Sequence, residues 1–217
     1  MNRFLRQTRR IKGGKRGFTI LELLVATIVF SVVLLLVTAG IMQIARVYYK
    51  GVTETNTQNA ARNIIETISQ AIQFSGGPVT NTDTPPVPGA ERFFCIGSQH
   101  YSYKLGWQVE NNPVAGQNQS WHALVQQPLT GSCAGVQTLT NQAIVGRDLL
   151  GRHMRLSKLV VLGLGNNQYR VEVRVVFGDN DLLSNPTDPN TVCRGESAGT
   201  QFCSISELST TVVKRVK

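Results

Sequence analysis

The stretch KRGFTILELLVAT, residues 15–27, decides how this chain is read. It steps from two cations and a glycine into an apolar run, and it sets one carboxylate, Glu22, inside that run. No further charge follows until Arg46. Residues 23–42 are 20 uncharged positions; as a helix they rise about 30 Å, the hydrocarbon thickness of a bilayer. The flank before the run is strongly basic and the flank after it is not, so residues 1–17 are expected in the cytoplasm and the remainder outside. An ordinary secretory signal has a shorter apolar core with a small-residue cleavage site behind it. Here the run is longer, and the glycine stands in front.

The formal charge of +9 has a local origin. Seven of the 22 basic residues (Arg3, Arg6, Arg9, Arg10, Lys12, Lys15, Arg16) fall in residues 1–17 with no acid among them. The rest of the chain holds 15 basic against 13 acidic residues, too even a balance for a phosphate-binding face. No direct nucleic-acid binding is expected. Four cysteines, Cys95, Cys133, Cys193 and Cys203, all follow the apolar run, and none is spaced as C-x-x-C. An even number beyond a membrane segment points to an oxidising compartment and two disulfides. Three pairings are open; Cys193 with Cys203, closing a short glycine-containing loop, and Cys95 with Cys133 are favoured.

A carboxylate in hydrocarbon is costly unless paired and usually marks function. A basic leader ending in Gly17, then Phe18, then a carboxylate at the fifth residue of the new N-terminus, then an unbroken apolar helix, resembles the class III signal of type IV pilins and pseudopilins. The resemblance rests on GFTILELLVA and spans residues 15–45. It implies cleavage between Gly17 and Phe18 by a membrane prepilin peptidase and methylation of the Phe18 amine. It also implies packing against other pilin subunits through the N-terminal helix, and an inner-membrane assembly platform as a further partner. Glu22 would then neutralise that N-terminus during filament assembly; the bland alternative is an anchor residue snorkelling to the interface. Many shaft-forming pilins carry a proline midway along this helix. This chain has Thr38, Ala39 and Gly40 there, and no proline before Pro78.

After Gly51 the pattern turns amphipathic. Ala60, Ala61, Ile64, Ile65, Ile68, Ala71 and Ile72 repeat at helical spacing, and Ser75 to Pro78 end the run. Residues 79–90 read as an exposed proline-rich loop. Strands are expected at 92–96, 101–109 and 121–126, then a hairpin of 156–162 with 168–177 across GLGNN, and a last strand at 208–216. A long helix followed by an antiparallel sheet is α+β. The expected divisions are a leader at 1–17, a transmembrane and assembly helix at 18–50, an amphipathic half at 51–76, and a β-rich extracytoplasmic domain at 77–217.

Other motifs are weaker. GSCAG, residues 131–135, outlines a nucleophile elbow at Cys133 but lacks the flanking strand and helix. His100, His122 and His153 are not spaced as metal ligands on one helix. Asp179, Asp181, Asn185 and Asp188 are hard oxygen donors of the kind calcium takes, yet their spacing is not that of an EF-hand. Gly163 and Gly165 lack the third glycine and helix of a dinucleotide site and fit a hairpin turn. No catalytic, cofactor or metal residues are assigned. The expected role is a minor pilin-like subunit and not an enzyme. Its rivals are a minor pseudopilin of a secretion or DNA-uptake machine, a bitopic ligand-binding protein, and a secreted hydrolase using Cys133.

Overall fold

Helix α1, Ile20–Phe74, carries both halves of the sequence pattern as one 55-residue element with no proline in it. The computed structural model describes residues 17–80, 90–111, 120–135, 139–140, 144–195 and 199–216. The expected leader up to residue 16 and most of the proline-rich loop lie outside the described residues. By its contacts the chain divides into two units, Met1–Ala45 and Arg46–Lys217.

In the first unit the helix presents leucine, valine and isoleucine on all sides, and its most apolar window is entirely unburied. It is long and apolar enough to cross a membrane. Its hydroxyls are satisfied inside the helix, as a hydrocarbon surround requires. Thr27 donates to the Leu24 carbonyl at 2.9 Å, Ser31 to those of Thr27 and Ile28, and Thr38 to that of Leu34.

In the second unit α1 buries one stripe: Thr53, Thr57, Ala61, Ile64, Ile68 and Ile72, at intervals of three or four residues. Ala60, Ile65 and Ala71 are only partly buried beside it. The stripe begins two turns earlier than the apolar periodicity implies. Its first two members are threonines whose hydroxyls are paired: Thr57 donates to the Thr53 carbonyl at 2.7 Å, and Thr53 to that of Gln201 at 2.8 Å. The helix stops where Gly77 meets Gly97; a Cβ on Gly77 would lie 2.8 Å from the Gly97 Cα, so no larger residue fits that crossing.

Among the described residues ten strands follow: β1 Val79–Thr80, β2 Glu91–Ile96, β3 Gln99–Lys104, β4 Glu110–Asn111, β5 Ser120–Trp121, β6 Leu124–Pro128, β7 Arg147–Asp148, β8 Met154–Gly165, β9 Gln168–Phe177 and β10 Ser204–Val213. They form three antiparallel sheets, ordered β1-β2-β3-β6-β7, β10-β9-β8 and β4-β5. The main core joins the isoleucines of α1 to Phe94, Tyr101 and Leu124 of the first sheet and Leu156, Val171, Val173 and Val175 of the second. The fold is α+β, a long N-terminal apolar helix with antiparallel sheets, consistent with a pilin-like architecture.

Several strand boundaries differ from expectation: the strand expected over 121–126 is split between β5 and β6, which pair in different sheets, and the one expected over 156–162 extends to Met154–Gly165. The strand expected over 101–109 stops at Lys104, because Gly106 turns the chain at φ 79°. The last strand spans Ser204–Val213 and not 208–216; pairing with β9, Ser204 opposite Phe177 through Val213 opposite Gln168, draws in a polar start that periodicity passes over.

Candidate functional site

Gly17, Phe18 and Thr19 precede the first turn of α1, and Phe18 is 86% exposed. Thr19 caps the helix. Its hydroxyl oxygen accepts the Glu22 N–H at 3.2 Å, while Glu22 Oε2 accepts both the Thr19 N–H and the Thr19 hydroxyl, each at 2.9 Å. This is a reciprocal capping box, T-x-x-E over residues 19–22. The sequence carried that signal, and the reading of Glu22 as a lone carboxylate passed over Thr19. A carboxylate in the first turn also faces the positive end of the helix dipole. Glu22 therefore accepts two hydrogen bonds from its own chain; carboxylate oxygens have further lone pairs for an outside donor.

The cysteines lie in the second unit and form Cys95–Cys133 and Cys193–Cys203. No cysteine is free. The GSCAG loop thus has no thiol to act as nucleophile, and its first three residues form bends. His100 opposes Cys95 across β2 and β3 and stacks on Phe93, with Nε2 3.0 Å from the Gly135 carbonyl oxygen. His122 Nδ1 lies 2.8 Å from Asp148 Oδ2, and His153 Nδ1 lies 3.3 Å from Asp179 Oδ1.

The oxygen donors of residues 179–188 serve separate purposes. Asp179 accepts from Gln108 at 2.8 Å, and that bond foremost, helped by His153, holds its carboxyl below the usual range. Asp188 accepts the Asn190 N–H, and Asn185 the N–H of Thr187. Among the described residues no three His, Cys, Asp or Glu gather as a metal cluster. Gly163 and Gly165 lie at the end of β8, beside a two-residue turn formed by Asn166 and Asn167, both at positive φ.

Other polar groups are structural. Arg155 is fully buried, and its guanidinium donates to Asn180, Gln108 and the Gly178 carbonyl. Burial lowers its pKa and pushes the Tyr101 hydroxyl up to about 12. On the outer face of the second sheet Lys158 meets Glu172 at 2.7 Å and Glu207 at 3.4 Å. Arg170 meets Glu172 at 2.7 Å and Arg174 meets Glu207 at 3.7 Å. Bonding to Lys158 keeps the Glu172 carboxyl low.

No curated protein and no solved structure matches the chain. Residues 12–38 match the family model of the prokaryotic N-terminal methylation motif. The segment holding Gly17, Phe18, Thr19 and Glu22 is therefore a class III signal, and at its N-terminus this chain is like type IV pilins and pseudopilins.

Proposed function

We propose that this chain is a minor type IV pilin-like subunit. Prepilin peptidase cuts it between Gly17 and Phe18 and methylates the Phe18 amine, and α1 then anchors it in the cytoplasmic membrane with residues 77–217 outside. An inner-membrane assembly platform lifts it into a pilus or pseudopilus, where its helix packs on those of other subunits. The observation that supports this reading is the methylation-motif match over residues 12–38, a stretch that contains Gly17, Phe18 and Glu22.

Glu22 has a defined part in this reading. Removing the leader turns the Phe18 nitrogen into a cation, and a neighbouring subunit brings a second one. Either can take a free lone pair of Glu22, which offsets part of the cost of burying both charges. The minor role is supported by two features. The second unit spans Arg46–Lys217, large for dense packing round a narrow helical core, and α1 has no proline at which a shaft subunit's helix can loosen.

The deciding experiment is mass spectrometry of the mature N-terminus from membranes and from sheared filaments. The expected species begins at N-methyl-Phe18, and Gly17→Leu should leave the chain at full length. A normally trimmed Gly17→Leu chain would overturn the assignment.

A further inference from the structure

The edges of the sheets are not treated alike. Exposed strand edges offer unpaired N–H and C=O groups, and proteins blunt them with short strands, bulges, charges or cover. In the first sheet the edge strands β1 and β7 are two residues each. In the second, β8 carries two register shifts and an outward lysine, and its start is covered by the segment around Gln108. β10 is neither short nor bulged, and among the described residues α1 bonds only those that flank it, Gln201, Cys203 and Arg215. It pairs with β9 over ten residues without a shift, contains no proline, and its one charge, Glu207, is already matched by Lys158 and Arg174.

The register shows which groups are open. Lys214 donates to the Asn167 carbonyl directly opposite it, so even-numbered residues of β10 bond to β9. Ile205, Glu207, Ser209, Thr211 and Val213 consequently turn their N–H and C=O outward. Among the described residues no backbone or side chain takes those groups, and four of the five residues are exposed.

We infer that the outer edge of β10 receives an added strand from another protein, apolar at alternate residues and carrying a carboxylate at the end beside Arg170 and Arg215. Such strand addition takes its affinity from main-chain bonds and its specificity from alternate side chains. On the inward side Leu208 and Thr210 are only half-buried, leaving apolar surface for an added strand to cover. On the outer face three cations, Lys158, Arg170 and Arg174, stand against two carboxylates. Thr211 lies opposite Arg170, whose side chain is 53% exposed, and exposed Arg215 follows the strand. That end is cationic.

A second copy does not fit. α1 runs beside β10 in the same sense, with Lys50 donating to the Cys203 carbonyl at one end and the Arg215 N–H to the Gln73 carbonyl at the other. Antiparallel pairing of two β10 strands about a two-fold would put the two Arg46 entry points at opposite ends, which chains anchored in one membrane cannot adopt. A two-fold along the strands would set inward residues level with outward ones, out of step with the pleat.

The test uses the full chain in detergent micelles and a ten-residue probe alternating threonine and valine with an aspartate at one end. Amide exchange is read residue by residue. Amides of the odd residues from Ile205 to Val213 should exchange freely alone and slow at least tenfold with saturating probe, while the even ones are protected throughout. Ser209→Pro should abolish the probe's effect yet keep the even amides protected, and Arg215→Glu should weaken the probe at least threefold. Unchanged odd amides, equal protection by a probe with lysine for aspartate, or odd amides already protected in a dimer of the free chain would each overturn the inference. None of these outcomes depends on cleavage at Gly17, so the pilin-like reading stands or falls separately.

Discussion

At the scale of single residues, Thr19 and Glu22 divide two tasks that the sequence merges. The carboxylate caps its own helix, so its place in an apolar run has a local cause apart from the pairing proposed for it. The two separate by mutation. Thr19→Ala removes one cap partner, worth about 1 kcal/mol at most helix starts, but leaves the backbone N–H on Glu22; cleavage and filament incorporation should stay near wild type. Glu22→Val should also be inserted and cut, being more apolar, yet be poorly incorporated beside other subunits. A filament pull-down run next to a cleavage assay reads both, and equal incorporation of Glu22→Val and wild type would remove pairing with the Phe18 amine from the account. Gly17, Phe18 and Glu22 were singled out because charge and glycine stand out against an apolar background. Thr19 was not, since a threonine before a helix is common and only its spacing to Glu22 gives it meaning.

Among elements, α1 shows where periodicity suffices and where it fails. Ile64, Ile68 and Ile72 were legible as a buried face. Thr53 and Thr57 were not, because a threonine enters a core only when its hydroxyl finds a carbonyl, and Gln201 supplies one from 148 residues away. The same applies to β10, whose first residues, Ser204 to Glu207, become a strand through their partners on β9 and not through their own propensity. The isoleucine stripe carries the energetic weight. Ile68 is completely buried in the main core, and Ile68→Ala should cost about 2 to 5 kcal/mol by lost burial and the cavity left behind. Denaturant unfolding of the solubilised chain measures it. A loss below about 1 kcal/mol would mean that the helix is not seated on the sheets as described.

For the molecule as a whole, the two disulfides constrain very different lengths of chain. Cys95–Cys133 spans a separation of 38 residues and Cys193–Cys203 one of 10. In the chain-entropy account the stabilisation grows with the logarithm of the loop, so the longer bridge should contribute about 1 kcal/mol more than the shorter. Comparing the paired variants Cys95→Ser/Cys133→Ser and Cys193→Ser/Cys203→Ser by denaturant midpoint tests the order. The opposite order would place the shorter bridge's role in the folded state, not the unfolded one. The α+β class could be read from the order of signals along the chain. The division into three sheets could not, since it depends on which strands meet, and two-residue strands such as β1 and β7 leave no pattern of their own.

The attachment of α1 to the C-terminal strand also has a mechanical meaning. Lys50 and Thr53 grip the carbonyls of Cys203 and Gln201, and the Gln73 carbonyl holds the Arg215 N–H. Axial tension on the helix is borne in shear, by fastenings at both ends and the isoleucine stripe between them, so they share the load and do not open one after another. Just behind the first fastening sits the covalent Cys193–Cys203 bond. Force entering at Lys50 reaches Cys203, whose backbone continues into β10 and whose side chain is bonded to Cys193, so the start of the C-terminal strand is held along two covalent paths and resists being peeled away by a pull on the helix.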